Sequence, residues 1–364
     1  MNTTVPTVPA VLNDTLAHIR AVQPRLREEA QARLDQLTKP RGSLGQLESL
    51  AAQCYAIVGG NPSLPMRKAA YLFAADHGVA AEGVSAYPSA VTQQMVENFL
   101  RGGAAINVLA RHHAVELTIV DVGVDAEFAV HPALWQRKVR RASRNMRREP
   151  ALSAAEMSAA LEVGVEAADD AHARQITLVA AGEMGIGNTT AASALAAALT
   201  GQPVAAVTGT GTGIDSSARQ IKQQVIAEAL DRHLPHWRTE RPAPLAALRG
   251  VGGLEIAAMT GFFLAAARHA RIIVVDGFIA TAAAAVAVAC APAVRDYLIA
   301  GHRSEEPGHA HLLRHLGLEP VLDLRMRLGE GTGAVLAMPV ITSGVHILLE
   351  MATFAAAGVS TATA

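Results

Sequence analysis

The sequence predicts an α/β protein built on a mostly parallel sheet with helices on both faces. Short, continuously apolar runs alternate with longer helical stretches, and such runs are typical of strands in a sheet that is buried on both faces. Two amphipathic helices also precede the first strand, which predicts a small helical unit at the N-terminus. The strand-like runs are Ala69–Ala75, Glu116–Val122, Ile176–Ala181, Val204–Val207 and Ile272–Val275.

The composition is that of a large globular protein. Of the 364 residues, 51% are hydrophobic and 17% are charged, which is enough for a large core and for about two domains. A formal net charge of −1 gives no overall attraction to nucleic acid or to an anionic membrane. Cys54 and Cys290 are far apart and form no metal-binding spacing. The first fifteen residues lack a secretory pattern, so we expect a cytoplasmic protein with no nucleic-acid or membrane partner.

Both ends of the chain are predicted to be helical. Leu12–Leu37 has helical spacing and ends at a Lys-Pro-Arg-Gly-Ser segment, and Leu44–Val58 follows as a second amphipathic helix. Ala334–Phe354 is a long apolar run that reads as a buried helix, and no predicted strand follows it. We therefore expect it to return and pack on the N-terminal helices. Gly277–Val294 carries no charge but follows a strand, which favours a buried helix over a membrane span.

Small and polar residues follow the predicted strands. They are Asp76-His77-Gly78, Asp121, Gly182-Glu183, Thr208-Gly209 and Asp276-Gly277. Ligands of parallel sheets bind beyond the carboxyl ends of the strands. The sequence therefore predicts a ligand site along this edge.

Glu330 stands between Gly329 and Gly331, just before the long apolar helix. Backbone N–H groups at a helix N-terminus favour an ionised carboxylate, and the glycines allow close approach of a substrate. A lone acid in this position is a candidate general base. The alternative is that Glu330 caps the helix and the glycines form a turn. Burial would raise its pKa and the helix would lower it.

Two glycine-rich loops are candidate binding sites for a nucleotide. Residues 181–190 join a strand to an Ala-rich helix, and such loops bind phosphate at a helix N-terminus. The loop lacks the lysine of a Walker motif and the spacing of a dinucleotide fingerprint, and a tight structural turn is the alternative. Residues 208–215 form the second loop, which is suited to a ribose. Lys222 lies downstream, either to neutralise the phosphate or on a solvated helix face.

Three further segments are less informative. Residues 83–89 and Gln93 offer hydroxyl and amide groups that suit a flat heteroaromatic ligand, although an ordinary loop and helix start explain them equally well. The run from Arg137 to Arg148 contains seven basic residues but no aromatic residue, which favours a solvated or phosphate-facing loop over a nucleic-acid site. His302, His309, His311 and His315 lie near two glutamates without the spacing of a zinc motif. We therefore predict no metal.

Taken together, these residues resemble the nicotinate-nucleotide–dimethylbenzimidazole phosphoribosyltransferase family of cobalamin nucleotide-loop assembly. The match covers nearly the whole chain. Its motifs lie at residues 39–45, 75–79, 83–88, 93–96, 182–190, 208–215, 252–255, 275–278, 304–309 and 327–334. The chain departs from the family pattern at Ala142-Ser143-Arg144-Asn145, where Gly-Thr-x-Asn is usual.

The resemblance implies a doubly wound, Rossmann-like domain at residues 63–333 that carries the active site. It also implies a small helical domain from residues 1–62 and 334–364, and a homodimer. The implied reaction transfers the phosphoribosyl group of nicotinate mononucleotide to 5,6-dimethylbenzimidazole, giving α-ribazole 5′-phosphate and nicotinate. Because nicotinate leaves from a cationic ring nitrogen, we predict no cofactor. The alternatives are a same-fold enzyme acting on another base and a nucleotide sensor without turnover.

The resemblance also assigns roles to individual residues. The family's catalytic carboxylate falls on Glu330, while Ser85 and Gln93 match positions that line the benzimidazole pocket. The predicted catalytic residues are Glu330, Glu183 and Lys222. The predicted substrate-binding residues are Ser85, Tyr87, Gln93, Met184, Gly185, Ile186, Gly187, Asn188, Thr189, Thr190, Gly209, Gly211, Asp276, Ser304, Gly329 and Gly331.

Overall fold

A computed structural model describes residues 10–240 and 242–360. It contains a seven-stranded parallel sheet in the order β3-β2-β1-β4-β5-β6-β7, which confirms the predicted fold class. The strands are β1 (Lys68–Ala75), β2 (Glu116–Gly123), β3 (Leu134–Gln136), β4 (Leu178–Met184), β5 (Ile272–Val275), β6 (Leu298–Ser304) and β7 (Pro320–Met326).

Fifteen α-helices lie within the described ranges. They are α1 (Ala10–His18), α2 (Pro24–Leu34), α3 (Gln46–Ile57), α4 (Ala90–Leu100), α5 (Ala105–His112), α6 (Ala154–Ala173), α7 (Asn188–Thr200), α8 (Val204–Val207), α9 (Ser216–His233), α10 (Pro244–Val251), α11 (Leu254–Arg268), α12 (Phe278–Cys290), α13 (Pro307–Leu316), α14 (Thr332–Glu350) and α15 (Phe354–Ala357). Short 3-10 helices span Gly78–Glu82 and Pro292–Tyr297.

The strand order places a switch point between β1 and β4. From β1 the chain moves outward to β2 and β3, and from β4 it moves outward in the other direction. The loops that leave β1 and β4 therefore diverge at their carboxyl ends and open a crevice between them, where such folds bind ligands. The segments after β5, β6 and β7 border the same edge, so five strands contribute to one site.

The prediction of a single helix over Leu12–Leu37 is wrong. The segment forms α1 and α2, separated at residues 19–23. Pro24 occupies the first turn of α2, where its fixed φ and missing N–H group are tolerated. The same residue inside a continuous helix would remove a hydrogen bond and clash with the preceding turn.

The strand predicted at Val204–Val207 is also wrong, since these residues form the short helix α8. Four apolar residues after Pro203 fit a strand and a buried helical turn equally well, and only tertiary packing distinguishes them. Three strands of the described structure were not predicted. β3 is three residues long, β6 contains His302 and Arg303, and β7 lies partly exposed at the sheet edge with charged residues in it.

Both predicted apolar helices are confirmed. Every residue of α12 from Phe278 to Ala287 is buried. α14 is long and apolar enough to cross a membrane, yet 56% of its most apolar window is buried inside the protein. α11 packs on β1, β2, β4 and β5, while α14 packs on β4 to β7. The protein therefore uses α14 as a core helix.

The chain ends meet, as predicted from the two terminal helical patterns. α3 packs against α2 and α14, around a small apolar cluster that includes Leu34, Ala51 and Leu348. Leu37 also forms an antiparallel bridge with Thr353. By contrast, α1 packs on α6 and α11 of the sheet layer. The domain bounds 1–62 and 334–364 stay a prediction. Residues 1–9 and 361–364 of it, and most of the segment used to predict that no signal peptide is present, lie outside the described residues.

Candidate active site

A cavity of about 460 Å³ opens at the carboxyl edge of the sheet. It is lined by Tyr87, Val91, Met95, Glu183, Met184, Gly185, Ile186, Asn188, Thr189, Gly211, Thr212, Gly277, Phe278, Ile279, Ser304, Glu306, Arg327, Leu328, Gly329 and Glu330. One side is lined by the apolar residues Val91, Met95, Phe278, Ile279 and Leu328. The other side brings two glycine-rich loops and three carboxyl groups together.

Glu330 lies in this cavity in a strained backbone conformation. Its φ is +64°, in the left-handed region that a residue with a side chain rarely adopts, and it lies between two glycines that are also left-handed. Such strain is usually found where function fixes the backbone. The loop lies directly on β4, because a Cβ atom on Gly182 would come within 2.6 Å of the Glu330 carbonyl carbon. Close packing of two backbones therefore places this carboxyl group.

The Glu330 side chain is buried, and its Oε2 atom accepts no hydrogen bond. Burial raises the pKa of Glu330 to about 7, opposed by a hydrogen bond from the Ile106 backbone and assisted by the nearby Asp276. Burial therefore outweighs this hydrogen bond, and the pKa of Glu330 is raised, a direction that sequence alone left open. A carboxyl group with this pKa exchanges a proton readily near neutral pH.

Glu183 is the second acid of the cavity. Burial raises its pKa to about 8, and the charges of Asp276, Glu255 and Glu330 contribute in the same direction. Asn188 donates a hydrogen bond from its side-chain amide to Glu183 Oε2. Gly329 packs closely against the Glu183 carboxyl group, since a Cβ atom there would overlap Oε1. Both acids of the cavity therefore keep their protons to a higher pH than an ordinary glutamate does.

Asp276, at the end of β5, fixes the loop that carries Glu330. Its carboxylate accepts hydrogen bonds from the backbone N–H groups of Gly331 at 3.2 Å and Ala334 at 2.9 Å. These donors belong to the first turn of α14, where N–H groups have no partner within the helix. Asp276 thus positions Glu330 from behind and does not itself line the cavity.

The first glycine-rich loop is a candidate anion-binding site, which we call the anion cradle. Gly187, with a φ of +100°, precedes α7, and Asn188 and Thr189 of the first helical turn line the cavity. Lys222 on α9 is fully buried, and its Nζ donates a 2.7 Å hydrogen bond to Thr189 Oγ1. Burial lowers the pKa of Lys222 to about 8, and the charge of Glu306 opposes this shift. The alternative of a solvated Lys222 is therefore wrong.

The second loop closes the cavity next to the cradle. Glu306 accepts a 2.9 Å hydrogen bond from the Gly211 N–H, and Arg327 donates to the Gly211 carbonyl at 3.1 Å. Thr212 Oγ1 lies 3.1 Å from Ser85 Oγ and accepts a 2.9 Å hydrogen bond from the Ala86 N–H. Ser85 therefore ties the loop after β1 to the second glycine-rich loop.

Comparison with known proteins places this arrangement in a family. A phosphoribosyltransferase family model matches residues 19–359. The chain belongs to this family. A nicotinate-nucleotide–dimethylbenzimidazole phosphoribosyltransferase of Geobacter metallireducens is 50% identical over 349 residues, which cover 96% of this chain and 98% of that protein. The protein of the same name from Geobacter sulfurreducens is 51% identical over 350 residues, with the same coverage of both chains.

Solved structures agree with the sequence relatives. A crystal structure of the enzyme of that name from Thermus thermophilus matches with a TM-score of 0.87 and 49% identity over 93% of this chain and 100% of the other. A structure titled CobT, from the same organism, matches with a TM-score of 0.89, 50% identity and the same coverage. The recognised family is thus confirmed by sequence and by fold.

The structure brings most of the predicted site residues of this phosphoribosyltransferase together. Eleven of them line the cavity, namely Tyr87, Glu183, Met184, Gly185, Ile186, Asn188, Thr189, Gly211, Ser304, Gly329 and Glu330. The other eight do not line it, namely Ser85, Gln93, Gly187, Thr190, Gly209, Lys222, Asp276 and Gly331. Gln93 donates a hydrogen bond to Glu97 on α4. The roles assigned to all nineteen remain predictions.

Sequence reasoning missed several residues that line the cavity. Val91 and Met95 lie one turn apart on α4, and Phe278 and Ile279 begin α12. Met95 and Phe278 lie within recognised motifs and Val91 and Ile279 lie just outside them, but none of these apolar side chains gave a signal that distinguishes a pocket from a core. Glu306 was set aside with the histidine cluster. Its pairing with Gly211, 95 positions away, is visible only in the fold.

The basic run, predicted to be a solvated or phosphate-facing loop, forms ion pairs within the protein. Its residues pair with the protein's own acids and do not line the cavity. Arg137 pairs with Glu166, Lys138 with Asp121, Arg144 with Glu156, and Arg147 with Glu82 and Glu228. Residues 142–145, where the chain departs from the family pattern, pack tightly against the loop after β1, because a Cβ atom on Gly78 would lie 2.7 Å from the Asn145 nitrogen. Its role is to hold the loop after β1.

The four histidines of the cluster do not share one environment in the fold: His302 and His309 are buried, whereas His311 and His315 are partly or fully exposed. His309 is buried, lies 3.0 Å from Thr281 Oγ1 and accepts a hydrogen bond from the Ser304 N–H. Burial, with the neighbouring His302 second, lowers the pKa of His309 to about 3, so the ring is neutral. Within residues 10–240 and 242–360, no group of three or more His, Cys, Asp or Glu side chains is arranged to hold a metal ion.

Proposed function

We propose that this chain transfers the phosphoribosyl group of nicotinate mononucleotide to 5,6-dimethylbenzimidazole at the 460 Å³ cavity. The assignment of the site rests on one observation, the buried carboxyl group of Glu330. Its Oε2 has no hydrogen-bond partner, and it shares the cavity with the anion cradle. The names of the relatives, at about 50% identity over nearly the full length, support the reaction.

The mononucleotide binds with its 5′-phosphate at the N-terminus of α7. Backbone N–H groups in the first helical turn and the positive end of the helix dipole favour an anion there. Asn188 and Thr189 face the cavity at this point. Lys222 approaches from behind through Thr189, so its charge stabilises the phosphate without direct exposure to water.

The benzimidazole lies against the apolar side of the cavity. Tyr87, Val91, Met95, Phe278 and Leu328 provide apolar surface on several sides. A flat ring in such a pocket loses its contact with water, and a few polar groups then fix its orientation. One ring N–H must point toward Glu330, while the other ring nitrogen faces C1′ of the ribose.

The chemistry requires one proton acceptor. The unprotonated benzimidazole nitrogen attacks C1′, the bond from C1′ to the nicotinate nitrogen breaks, and the electron pair of that bond neutralises the pyridinium ring. The benzimidazole N–H proton passes to the Glu330 carboxylate. Attack on the face opposite to the leaving ring converts the β-nucleotide into an α-product. Because the leaving group is already cationic, the proposal includes no metal or cofactor.

The remaining parts of the proposal concern the cellular context. The enzyme acts as a homodimer in the cytoplasm, with the terminal helical segments forming a small domain. The family resemblance supports these assignments, and the packing of α3 against α2 and α14 supports the last of them. Light scattering of the purified protein measures the oligomeric state.

A direct assay tests the function. Purified protein is incubated with nicotinate mononucleotide and 5,6-dimethylbenzimidazole, and nicotinate and α-ribazole 5′-phosphate are quantified by chromatography. Equal amounts of both products are expected. The same assay with a panel of other azoles tests the alternative that the enzyme acts on another base. A higher kcat/KM for one of these azoles than for 5,6-dimethylbenzimidazole would establish that alternative. Binding of the mononucleotide without release of nicotinate, whichever base is added, would contradict an enzymatic role.

A further inference from the structure

A second cavity, which we call the basic groove, lies at the opposite edge of the sheet. Its volume is about 610 Å³, and its polar lining includes Ser63, Arg67, His172, Gln175, Thr177 and Arg271. Thr177 directly precedes β4, whose far end carries Glu183. At about 3.3 Å per residue, roughly 20 Å of strand separates the basic groove from the active site. The two cavities are therefore distinct.

The lining of the basic groove contains two arginines and, among the described residues, no carboxylate. Arg67 donates to the Arg174 carbonyl at 2.5 Å and to Glu116 at 2.8 Å. Glu116 also accepts a hydrogen bond from Arg174, which pairs with Asp170 as well, so two carboxylates face the three arginines Arg67, Arg174 and Arg271. Positive charge at this edge exceeds the negative charge that contacts it.

Arg271 is the more unusual of the two. Its guanidinium donates to the Ile176 carbonyl at 3.1 Å and contacts His172 Nδ1, while its Nε is buried without a hydrogen-bond partner. No carboxylate of the described residues forms an ion pair with it. Burial alone lowers the pKa of Arg271, whereas Glu166 and Glu156 raise the pKa of Arg137 and Arg144. A half-buried arginine that faces an imidazole instead of an acid lacks its usual counter-ion.

His172 faces Arg271 as a neutral ring and supplies it with no negative charge. Its ring stacks on His269 with centroids 4.0 Å apart, and His269 in turn contacts Asp169. Burial, and then the charges of His269 and Arg271, lower the pKa of His172. An anion that contacts Arg271 would provide the counter-ion that a neutral imidazole cannot.

We propose that the basic groove binds the phosphate group of a small molecule, held by the guanidinium groups of Arg67 and Arg271. Guanidinium forks match the geometry of phosphate oxygens and form bidentate, charge-assisted hydrogen bonds with them. The Thr177 hydroxyl and the Gln175 amide supply further polar groups at the same wall. The phosphate is supplied either as inorganic phosphate or as the terminal group of a nucleotide.

The test measures phosphate binding in the intact protein. Equilibrium dialysis with radiolabelled inorganic phosphate counts bound phosphate per chain for the wild type, R271Q and R67Q. We expect each variant to bind one phosphate fewer than the wild type, while binding at the active-site cradle remains. Arg67 is largely exposed, so R67Q preserves a test if R271Q fails to fold.

Arg295 provides a matched control. It is a half-buried arginine that donates to the carbonyls of Leu316 and Gly317, and burial lowers its pKa as it does for Arg271. It lines a different cavity that contains no second basic residue among the described ones. R295Q should therefore lose stability in the same way as R271Q but bind as much phosphate as the wild type.

Two outcomes separate the source of the phosphate, and one overturns the proposal. The dialysis is repeated with adenosine monophosphate. If the binding that is lost in R271Q is at least tenfold tighter for this nucleotide than for inorganic phosphate, the ligand of the basic groove is a nucleotide. Equal or weaker binding identifies inorganic phosphate. If R271Q and R67Q bind as much of both ligands as the wild type, the two arginines only bind backbone carbonyls and the proposal is wrong.

Discussion

His77 and Glu255 form a buried ion pair beneath the anion cradle. Their side chains meet with 2.6 Å between Nε2 and Oε1, and both are almost completely inaccessible to water. His77 also packs under the glycine-rich loop, since a Cβ atom on Gly187 would lie 3.1 Å from His77 Cβ. Burial opposes the charged form of His77, but the charge and hydrogen bond of Glu255 outweigh it and raise its pKa. The pair therefore fixes the floor of the proposed phosphate site.

Replacing His77 tests this positioning role. His77→Gln should raise KM for the mononucleotide more than it changes kcat, because the cradle moves while Glu330 remains. It leaves Glu255 buried without its partner, so we expect a loss of about 3–5 kcal/mol in the free energy of unfolding, partly restored in the H77Q/E255Q double variant. Stability from the pair is present below the ordinary histidine pKa and is lost as the pH rises through the raised value. The exposed His346→Gln is the control; equal changes of KM and kcat in H77Q would contradict the role.

Glu330→Gln distinguishes a general base from a helix cap. A base contributes ~10²–10⁴-fold in rate, so kcat should fall by that factor with little change in KM. The wild-type rate should also rise with pH through about 7 as Glu330 ionises, and this limb should disappear in the variant. Glu350→Gln, at the exposed end of the same helix, is the control. Near-normal kcat with stability lowered by about 1 kcal/mol would show that Glu330 is a helix cap. Glu183 would then be the next candidate for the general base.

Lys222→Met tests the phosphate assignment through the choice of substrate. Losing one charged hydrogen-bond donor, worth about 1.5–3 kcal/mol, should lower kcat/KM for nicotinate mononucleotide by roughly 10–100-fold. The corresponding nucleoside, which has no phosphate, should react equally with both proteins. Steady-state kinetics on the two substrates provide the measurement. An equal loss on both would mean that Lys222 supports the fold or the chemistry instead of the phosphate.

Gly182→Ala should displace Glu330 without touching its side chain. The new Cβ would lie 2.6 Å from the Glu330 carbonyl carbon and 2.8 Å from the Gly331 nitrogen, so the loop must move. We expect kcat to fall at least tenfold, since small displacements of a catalytic group cost that much. Gly83→Ala is the control, because that glycine has a φ of +73° but open space around its Cβ position. Similar activity in the two variants would show that the close approach to β4 is not needed.

The buried acids predict a stability that falls with pH. Glu183 and Glu330 have pKa values of about 8 and 7, against 4.5 for an ordinary glutamate. The folded state therefore holds protons that the unfolded chain releases between these values, so the stability that these two groups contribute is greatest below the ordinary pKa and is lost as the pH rises to about 8. Denaturant unfolding of the wild type and Glu183→Gln from pH 5 to 8 measures the difference. Parallel curves for the two proteins would mean that Glu183 is ionised throughout.

By itself, the sequence determined the fold class, the family and the positions of the main loops. Continuous apolar strands, glycine-rich turns and a carboxylate between glycines are local patterns, and each is written within a few neighbouring residues. It also determined that uncharged runs such as Gly277–Val294 form buried helices, because such runs have no other stable place in an α/β protein.

Tertiary structure decided the properties that depend on residues far apart in the chain. The Glu330 pKa depends on how deeply β4 and α5 bury the loop, and Lys222 is buried only because α9 packs on α7. The His77–Glu255 pair joins positions 178 residues apart. Val204–Val207 became a helix because four apolar residues fit either structure until packing selects one. Burial and long-range contacts set electrostatics and short-segment conformation, and neither is encoded in the local pattern.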